Sequence, residues 1–326
     1  MVDSAYDFEK PIAEIEQLLA VLKRTDRRAE AVASGIDLDE KINLLEVELH
    51  RAMEQVYSNL TAWQKTQIAR HKDRPYTLDY IRLIFDDFFE LAGDRLASND
   101  EAVVGGLARL NGEPVVIIGQ QKGRDLRERQ RRNFGSARAE GFRKALRLAR
   151  LAEKFHRPLI SFIDTAGAAA DLHAEEMGVS EAIAHNLREF AMLRTPMISI
   201  VIGEGGSGGA LGMAVSDRLL MLEHSIFSVI SPEGCASILW RDKSRAADAA
   251  GALQLTAQGA QSFGIVDEVI TEPLGGAHRD PAQSANAVKQ AFMRHLSILD
   301  KATADELVKS RYARIRQIGK WSENEE

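Results

Sequence analysis

The sequence predicts an α/β fold behind an N-terminal helical segment, and three observations carry that reading. From about residue 100, short Val- and Ile-rich runs alternate with amphipathic stretches. Asn111-Gly112 separates two of these runs at hairpin spacing. A glycine-dense turn follows one apolar run and directly precedes a helical stretch.

In order, Ile12, Ile15, Leu18, Leu19 and Leu22 recur at helical spacing. Asp37-Leu38-Asp39-Glu40 opens a second helix carrying Ile42, Leu45, Leu49, Met53, Val56 and Leu60, with a break at Ser34-Gly35. This narrow stripe reads as a packing surface against another subunit or domain, since a self-contained bundle needs more helices. A third helix is expected after Arg74-Pro75, from Thr77 through Phe85, Phe88 and Phe89 to near Gly93. The hairpin then runs from Ala102 to Ile118. A basic helix follows with Phe142, Ala145, Leu146 and Ala149 on one face. Next come a strand at Leu159–Ile163, a helix over 174–194, a strand at Met197–Ile202, the glycine turn and a short helix from about Gly208. Strands at Leu219–Leu222, Ile226–Val229 and Val266–Ile270 precede closing helices over 281–316, with Gly275-Gly276 as a linker. The organisation expected is residues 1–95 helical, 96–275 the core and 276–326 C-terminal helices.

Composition narrows the function. A chain of 326 residues, 45% hydrophobic and 28% charged, can bury a sizeable core. No apolar run approaches the roughly 18 residues of a membrane span, and the first residues carry no secretory pattern. The single cysteine, Cys235, can form no internal disulfide or Cys-based zinc site, reads as a small buried residue, and fits a cytoplasmic setting. The net charge of -6 argues against nucleic-acid binding, but it is uneven. Lys122 to Arg157 hold 13 Lys/Arg against 4 Asp/Glu. That island is either a solvated helix surface or an anion-capturing patch, with Lys122, Arg124, Arg127, Arg129, Arg131 and Arg132 as the capturing groups.

The strongest chemical signal is Gly203-Glu204-Gly205-Gly206-Ser207-Gly208-Gly209-Ala210. Glycines at this density let backbone approach a ligand, and a helix start adds unpaired N–H groups and a positive dipole end. The combination suits an oxyanion or enolate. Gly205, Ser207 and Gly209 also match G-x-S-x-G, so a serine hydrolase using Ser207 with Asp267 and His278 or His295 is a rival reading.

Several blocks together resemble the carboxyltransferase alpha subunit of bacterial multi-subunit acetyl-CoA carboxylase. They are Arg74–Tyr80, Leu91–Arg95, Gly119–Arg124, Arg131–Gly135, Phe162–Thr165, the glycine turn and Val229–Trp240. The similarity runs from about Phe8 to about residue 315. It implies a crotonase-like (ClpP-type) core of repeated ββα units and an α2β2 assembly with the site between an alpha and a beta subunit. It further implies that carboxybiotin on a biotin carboxyl carrier protein gives its carboxyl group to acetyl-CoA or a related acyl-CoA, forming malonyl-CoA for fatty-acid synthesis. The N–H groups of Gly208 and Gly209 would stabilise the biotin ureido oxyanion. Gly205, Gly206, Ser207, Gly167, Ala168 and Gly135 would face the substrates, and Lys122, Arg124, Arg131 and Arg132 would meet coenzyme A phosphates or an acidic carrier. This chain would bind no cofactor itself, zinc residing in the beta-type partner, and alone it would be inactive.

Two loops depart from the family pattern. Where the family has Pro-Gly-Ala-Tyr-Pro-Gly, a small pair and Ala-Glu-Glu-Arg-Gly-Gln, this chain has Ala166-Gly167-Ala168-Ala169-Ala170-Asp171-Leu172-His173-Ala174-Glu175-Glu176-Met177-Gly178-Val179. Where it has Gly-Met-Pro-Ala-Pro-Glu-Gly, the chain reads Gly135-Ser136-Ala137-Arg138-Ala139-Glu140-Gly141. Losing prolines loosens loops that face the site. The departures leave three readings open: a carboxyltransferase, a paralogue with a changed reaction such as acyl transfer or decarboxylation, and a non-catalytic scaffold subunit. His173, new in the altered loop, is a candidate acid or base.

Overall fold

The computed structural model describes residues 6–24 and 38–319. The break expected at Ser34-Gly35 lies outside them. Helices α1 (Lys10–Leu22) and α2 (Leu38–Tyr57) pack on each other, and their near ends fold back on the chain's own core. Ile12, Tyr57 and Ile68 form a small buried cluster with Leu49, Met53, Val56 and Leu274. Leu18, Val21, Leu44 and Val47, further out, remain exposed. Helix α3 (Ala62–Ala69) opens with a capping box, in which Gln64 N donates to Thr61 Oγ1 and Thr61 N to Gln64 Oε1.

The third expected helix is cut short. Helix α4 (Thr77–Ile84) ends where Phe85 turns extended, and Asp86–Glu90 is instead the edge strand β1, paired antiparallel with β2 (Val103–Leu110). The apolar spacing at Phe85, Phe88 and Phe89 suits either state, and pairing decides it. Phe85 drops into the core against Phe162 and Phe292, while Asp87 takes φ 52° at the irregular register.

β2 and β3 (Glu113–Gln120) make the expected hairpin, with Asn111 at φ 50° and Gly112 at φ 86°. Helices α5 (Leu126–Arg131) and α6 (Ala139–Lys154) lead to β4 (Leu159–Thr165). The helix expected over 174–194 is two, α7 (Leu172–Glu176) and α8 (Val179–Met192), separated by Gly178 at φ 76°. Then follow β5 (Met197–Gly206), α9 (Ser207–Ala214), β6 (Arg218–Leu222), β7 (Ile226–Ser228) and α10 (Pro232–Trp240). The chain closes with α11 (Ala246–Ala252), α12 (Ala257–Ser262), β8 (Glu268–Ile270), α13 (Pro281–Leu299) and α14 (Ala304–Arg316).

One sheet runs in the order β1-β2-β3-β4-β5-β6-β8, antiparallel at its β1–β3 end and parallel beyond, with β7 pairing to the end of β5. Parallel strands need cover on both faces. Phe142, Ala145, Leu148 and Ala149 of α6 cover one face together with Phe190 of α8 and Met213 of α9. Tyr80 and Ile84 of α4 and Val288, Phe292 and Leu296 of α13 cover the other. Gly275 and Gly276, expected as a linker, form a positive-φ turn beside fully buried Ala277, whose N donates to Glu272 Oε2 at 2.7 Å. Cys235 is buried with Ala236 and Ala249, as the sequence suggested.

Candidate active site

β5 does not stop where the glycines begin. The sequence reads Gly203–Gly209 as a turn, whereas the strand continues through Gly206 and α9 starts at Ser207 with no intervening loop. Pairing on both sides is the reason. Thr165 of β4 lies in register with Gly205, and Glu204, Gly205 and Gly206 pair with Ile226, Phe227 and Ser228 of β7. Ser207 makes the change of direction at φ 49°, a left-handed conformation costly for a residue with a Cβ.

The glycines here serve closeness. A Cβ on Gly206 would overlap the Ala166 carbonyl, one on Gly205 the Phe227 ring, and one on Gly209 the backbone of Gly167 and Ala168. At Gly208 there is room, its nearest neighbour being the Ile183 side chain at 3.5 Å. The first N–H groups of a helix have no acceptor within it and stand at the positive end of its dipole. Ser207 and Gly208 line a cleft of about 380 Å³ whose other walls include Leu211, Phe227, Val229 and Phe263. The helix start therefore opens on a largely apolar space, where donors act strongly on a developing oxyanion.

On the other side of the same strand end lies a web of charges. Lys122 Nζ is 2.8 Å from Asp164 Oδ1 and 2.9 Å from Glu204 Oε2. Arg70 Nε donates to Glu204 Oε1 at 2.6 Å and its Nη1 to Glu233 Oε1 at 2.5 Å. Burial pushes the Glu204 carboxyl up, but Lys122 and Arg70 outweigh it and bring it down to about 2. Burial also pushes the Lys122 ammonium down, and Asp164 and Glu204 overcome this and hold it above its ordinary value. Arg74, 1% exposed, forks onto Glu272 at 2.8 and 2.6 Å and donates from Nε to the Ile202 carbonyl at 2.6 Å. The α3–α4 segment is thus stapled to β5 just before its glycines.

Gln120, fully buried, joins the two sides. Its Nε2 donates to the Gly209 carbonyl at 3.0 Å, and its Oε1 accepts from Asp164 N at 3.0 Å.

The basic island divides. The Lys122 ammonium sits between two carboxylates with its side chain 15% exposed, and it lines a cleft of about 220 Å³ with Arg70, His71, Tyr76, Arg129 and Glu204. Arg132 is also engaged, donating to Glu128 Oε1 and to the Glu101 carbonyl, both at 2.9 Å. Arg124 stacks on Tyr76 and donates to the Lys72 and Arg74 carbonyls, while its other end pairs with Asp79. Arg131, 3.4 Å from Glu101, points outward. Gly135, at φ 81°, packs on the Lys122 side chain and the Asp164 carbonyl.

The hydrolase reading fails on geometry. Asp267 accepts from Leu219 N at 2.7 Å, His295 pairs with Glu268 at 2.8 Å, and His278 stacks on His71 with centroids 3.9 Å apart. None of the three lines the cleft at Ser207. His173 Nε2 lies 3.2 Å from Glu140 Oε1. Among the described residues no group of His, Cys, Asp or Glu is arranged to hold a metal ion, and no helix is long and apolar enough to cross a membrane.

The model of the acetyl co-enzyme A carboxylase carboxyltransferase-like family matches residues 5–319. The chain belongs to this family. It is 51% identical to the acetyl-coenzyme A carboxylase carboxyl transferase subunit alpha of Halorhodospira halophila, over 98% of this chain and 99% of that one. The subunits of the same name from Xylella fastidiosa and Geobacter metallireducens are 52% and 50% identical, over 96% and 97% of this chain and 97% and 98% of theirs. Among solved structures, transcarboxylase 12S with methylmalonyl-coenzyme A and methylmalonic acid bound superposes at TM-score 0.55 and 21% identity, over 71% of this chain and 44% of that one. The geranyl-CoA carboxylase beta subunit of P. aeruginosa does so at 0.54 and 16%, over 76% and 46%. At these identities the structures speak for the fold, and the crotonase-like core that the resemblance implied stands.

Several residues that shape the site were missed in the sequence of this family member. Glu204 reads as part of a turn, Arg70 as part of the N-terminal helical segment, and Gln120 only as a member of the Gly119–Arg124 block. The available signal was a Glu and a Lys at the ends of otherwise apolar strands, because a charge carried into a core needs a partner there.

Proposed function

We propose that this chain is the carboxyltransferase alpha subunit that moves a carboxyl group from carboxybiotin, presented on a biotin carboxyl carrier protein, to acetyl-CoA. The observation that carries the reading is the intact strand–glycine–helix turn at Gly205–Gly209, within a chain 51% identical to such a subunit over nearly its whole length. When the bond between the ureido nitrogen and the carboxyl group breaks, the electron pair left behind is shared with the ureido oxygen. The N–H groups of Gly208 and Gly209 are the donors offered to that oxygen. No side-chain nucleophile is required, so the absence of a triad at Ser207 costs the mechanism nothing.

The acyl-CoA half of the site belongs, in this reading, to a separately encoded beta-type subunit that also carries the zinc, in an α2β2 assembly in the cytoplasm. The cleft beside Gly208, with exposed Val229 and Phe263 on its walls, supports an apolar junction there. Arg127 and Arg131, exposed members of the basic island, remain for phosphates or an acidic carrier, while Arg124 is exposed but held by Tyr76, Lys72, Arg74 and Asp79. The departing loops favour testing acceptors other than acetyl-CoA as well. Co-purify the chain with a beta-type subunit and measure malonyl-CoA-dependent carboxylation of biocytin, with a panel of short acyl-CoAs in the forward direction. Turnover by the complex and none by the chain alone is expected. A stable complex inactive with every acyl-CoA overturns the reading.

A further inference from the structure

The two loops that depart from the family pattern meet each other. Ala169 N donates to the Ala137 carbonyl at 2.9 Å. Arg138 reaches Asp171 Oδ2 from Nη2 at 2.8 Å and from Nε at 3.2 Å, while Asp171 Oδ1 caps α7 by accepting from Ala174 N at 2.9 Å. His173 Nε2 stands 3.2 Å from Oε1 of Glu140, which is 2% exposed. Neither loop holds a proline, and these residues form cross-links between them.

We propose that Arg138 and Asp171, with His173 on Glu140 as a second tie, are positioning residues that latch these loops against the oxyanion turn. The path to the site is short. The latched loop contains Ala166, Gly167 and Ala168, and these are the atoms against which Gly206 and Gly209 are packed too closely for any Cβ. Thr165 Oγ1 donates to the Gly167 carbonyl at 2.7 Å and accepts from Gly167 N at 3.1 Å, fixing the start of the loop to β4. Arg138 N donates to Asp100 Oδ2 at 2.7 Å, fixing the other loop to the residues before β2. Between these fixed ends, proline would narrow the backbone by restricting φ; without it, the remaining restraint is contact between the loops. The latch therefore sets where Ala166–Ala168 stand, and so the wall beside Gly209.

The proposal rests on the carboxyltransferase reading only for its kinetic arm. Hydrogen exchange tests the latch with no activity required. Peptides covering residues 166–174 should exchange several-fold faster in Asp171→Ala and Arg138→Ala than in the parent chain, with the rest of the molecule unchanged. Arg138→Ala keeps the Asp171 cap on α7, so its exchange reports the latch alone, and Arg138→Lys should recover most of the protection. The kinetic arm uses the complex with a beta-type subunit. Each single variant should lose about three- to six-fold in kcat/KM for biocytin, as expected of a half-exposed pair, with KM for malonyl-CoA unchanged. The double variant Arg138→Ala/Asp171→Ala should be no worse than either single one. Unchanged exchange over 166–174 in Arg138→Ala, or Arg138→Lys no better than Arg138→Ala, overturns the latch whether or not the complex is active. Faster exchange with unaltered kinetics in an active complex overturns the positioning role. A parent complex with no turnover overturns the functional reading and leaves the exchange result to decide the latch.

Discussion

The two sides of the β5 terminus are built on opposite principles. On one side, Arg70, Lys122, Asp164 and Glu204 are joined by ion pairs of 2.6–2.9 Å, and Arg74 and Glu272 lie close by, nearly fully buried. On the other, the cleft at Ser207 and Gly208 is walled by Leu211, Phe227, Val229 and Phe263, with Val229 76% and Phe263 56% exposed. The charged side is complete within this chain: each of those groups has its partner. The apolar side is open. A single strand end is thus held rigidly from behind and presented uncovered in front, as suits a site finished by another molecule.

The charged side should break hardest. Arg74→Leu leaves Glu272 buried without its cation and should cost roughly 3–5 kcal/mol in denaturant unfolding, as for other buried pairs broken from one end. Glu204→Gln should cost less, because Arg70 keeps Glu233 and Lys122 keeps Asp164. Acid sharpens the point. The Glu204 carboxyl is depressed from 4.5 to about 2, so its contribution is fully present above about pH 4.5 and is lost as pH falls through the folded value. Glu204→Gln should flatten that part of the parent's acid unfolding curve.

On the open side, function should fall while the fold survives. Gly208 has space for a Cβ, whereas Gly209 has none. Gly208→Val should therefore leave melting temperature close to the parent's while lowering turnover on the order of 100-fold, because its side chain would block the approach to N–H groups that it leaves in place. Gly209→Val should lose both activity and thermal stability, because its side chain would displace Gly167 and Ala168. Equal stability of the two variants would contradict the packing described.

The smallest effects belong to the exposed wall. Val229→Ser and Phe263→Ser should each change the isolated chain's stability by no more than about 0.5 kcal/mol. If the beta-type subunit packs there, each should weaken its binding about tenfold, which titration calorimetry on the two subunits reads directly. Unchanged affinity would move the interface elsewhere.

The sequence read well where local chemistry decides. The Asn111-Gly112 hairpin, the amphipathic face of α6 and the helix start at the glycines follow from turn residues and periodicity, and tertiary contacts merely agree with them. It read poorly where two local states were equally satisfied. Phe85–Glu90 carries a spacing open to helix or strand, and it became β1 because the edge of β2 offered hydrogen bonds and the core offered a slot for Phe85. The N-terminal stripe, read as a packing surface against another subunit or domain, proved divided: Ile12 and Tyr57 pack on Ile68 of the same chain, and Leu18 and Leu44 stay exposed.

By itself the sequence determined the α/β class, the place of the glycine-rich strand-to-helix junction and the family, since these are written in short blocks whose residues act through their own backbone or immediate neighbours. Only the tertiary structure decided that Lys122 sits between Asp164 and Glu204, that Glu204 is the hub of an ion web, that Gln120 links Asp164 to Gly209, and that Arg138 meets Asp171. Each of those pairings joins residues 33 to 134 positions apart. No periodicity or spacing encodes such a meeting, because the energy of a charge in a protein depends on what folding brings within a few ångströms of it.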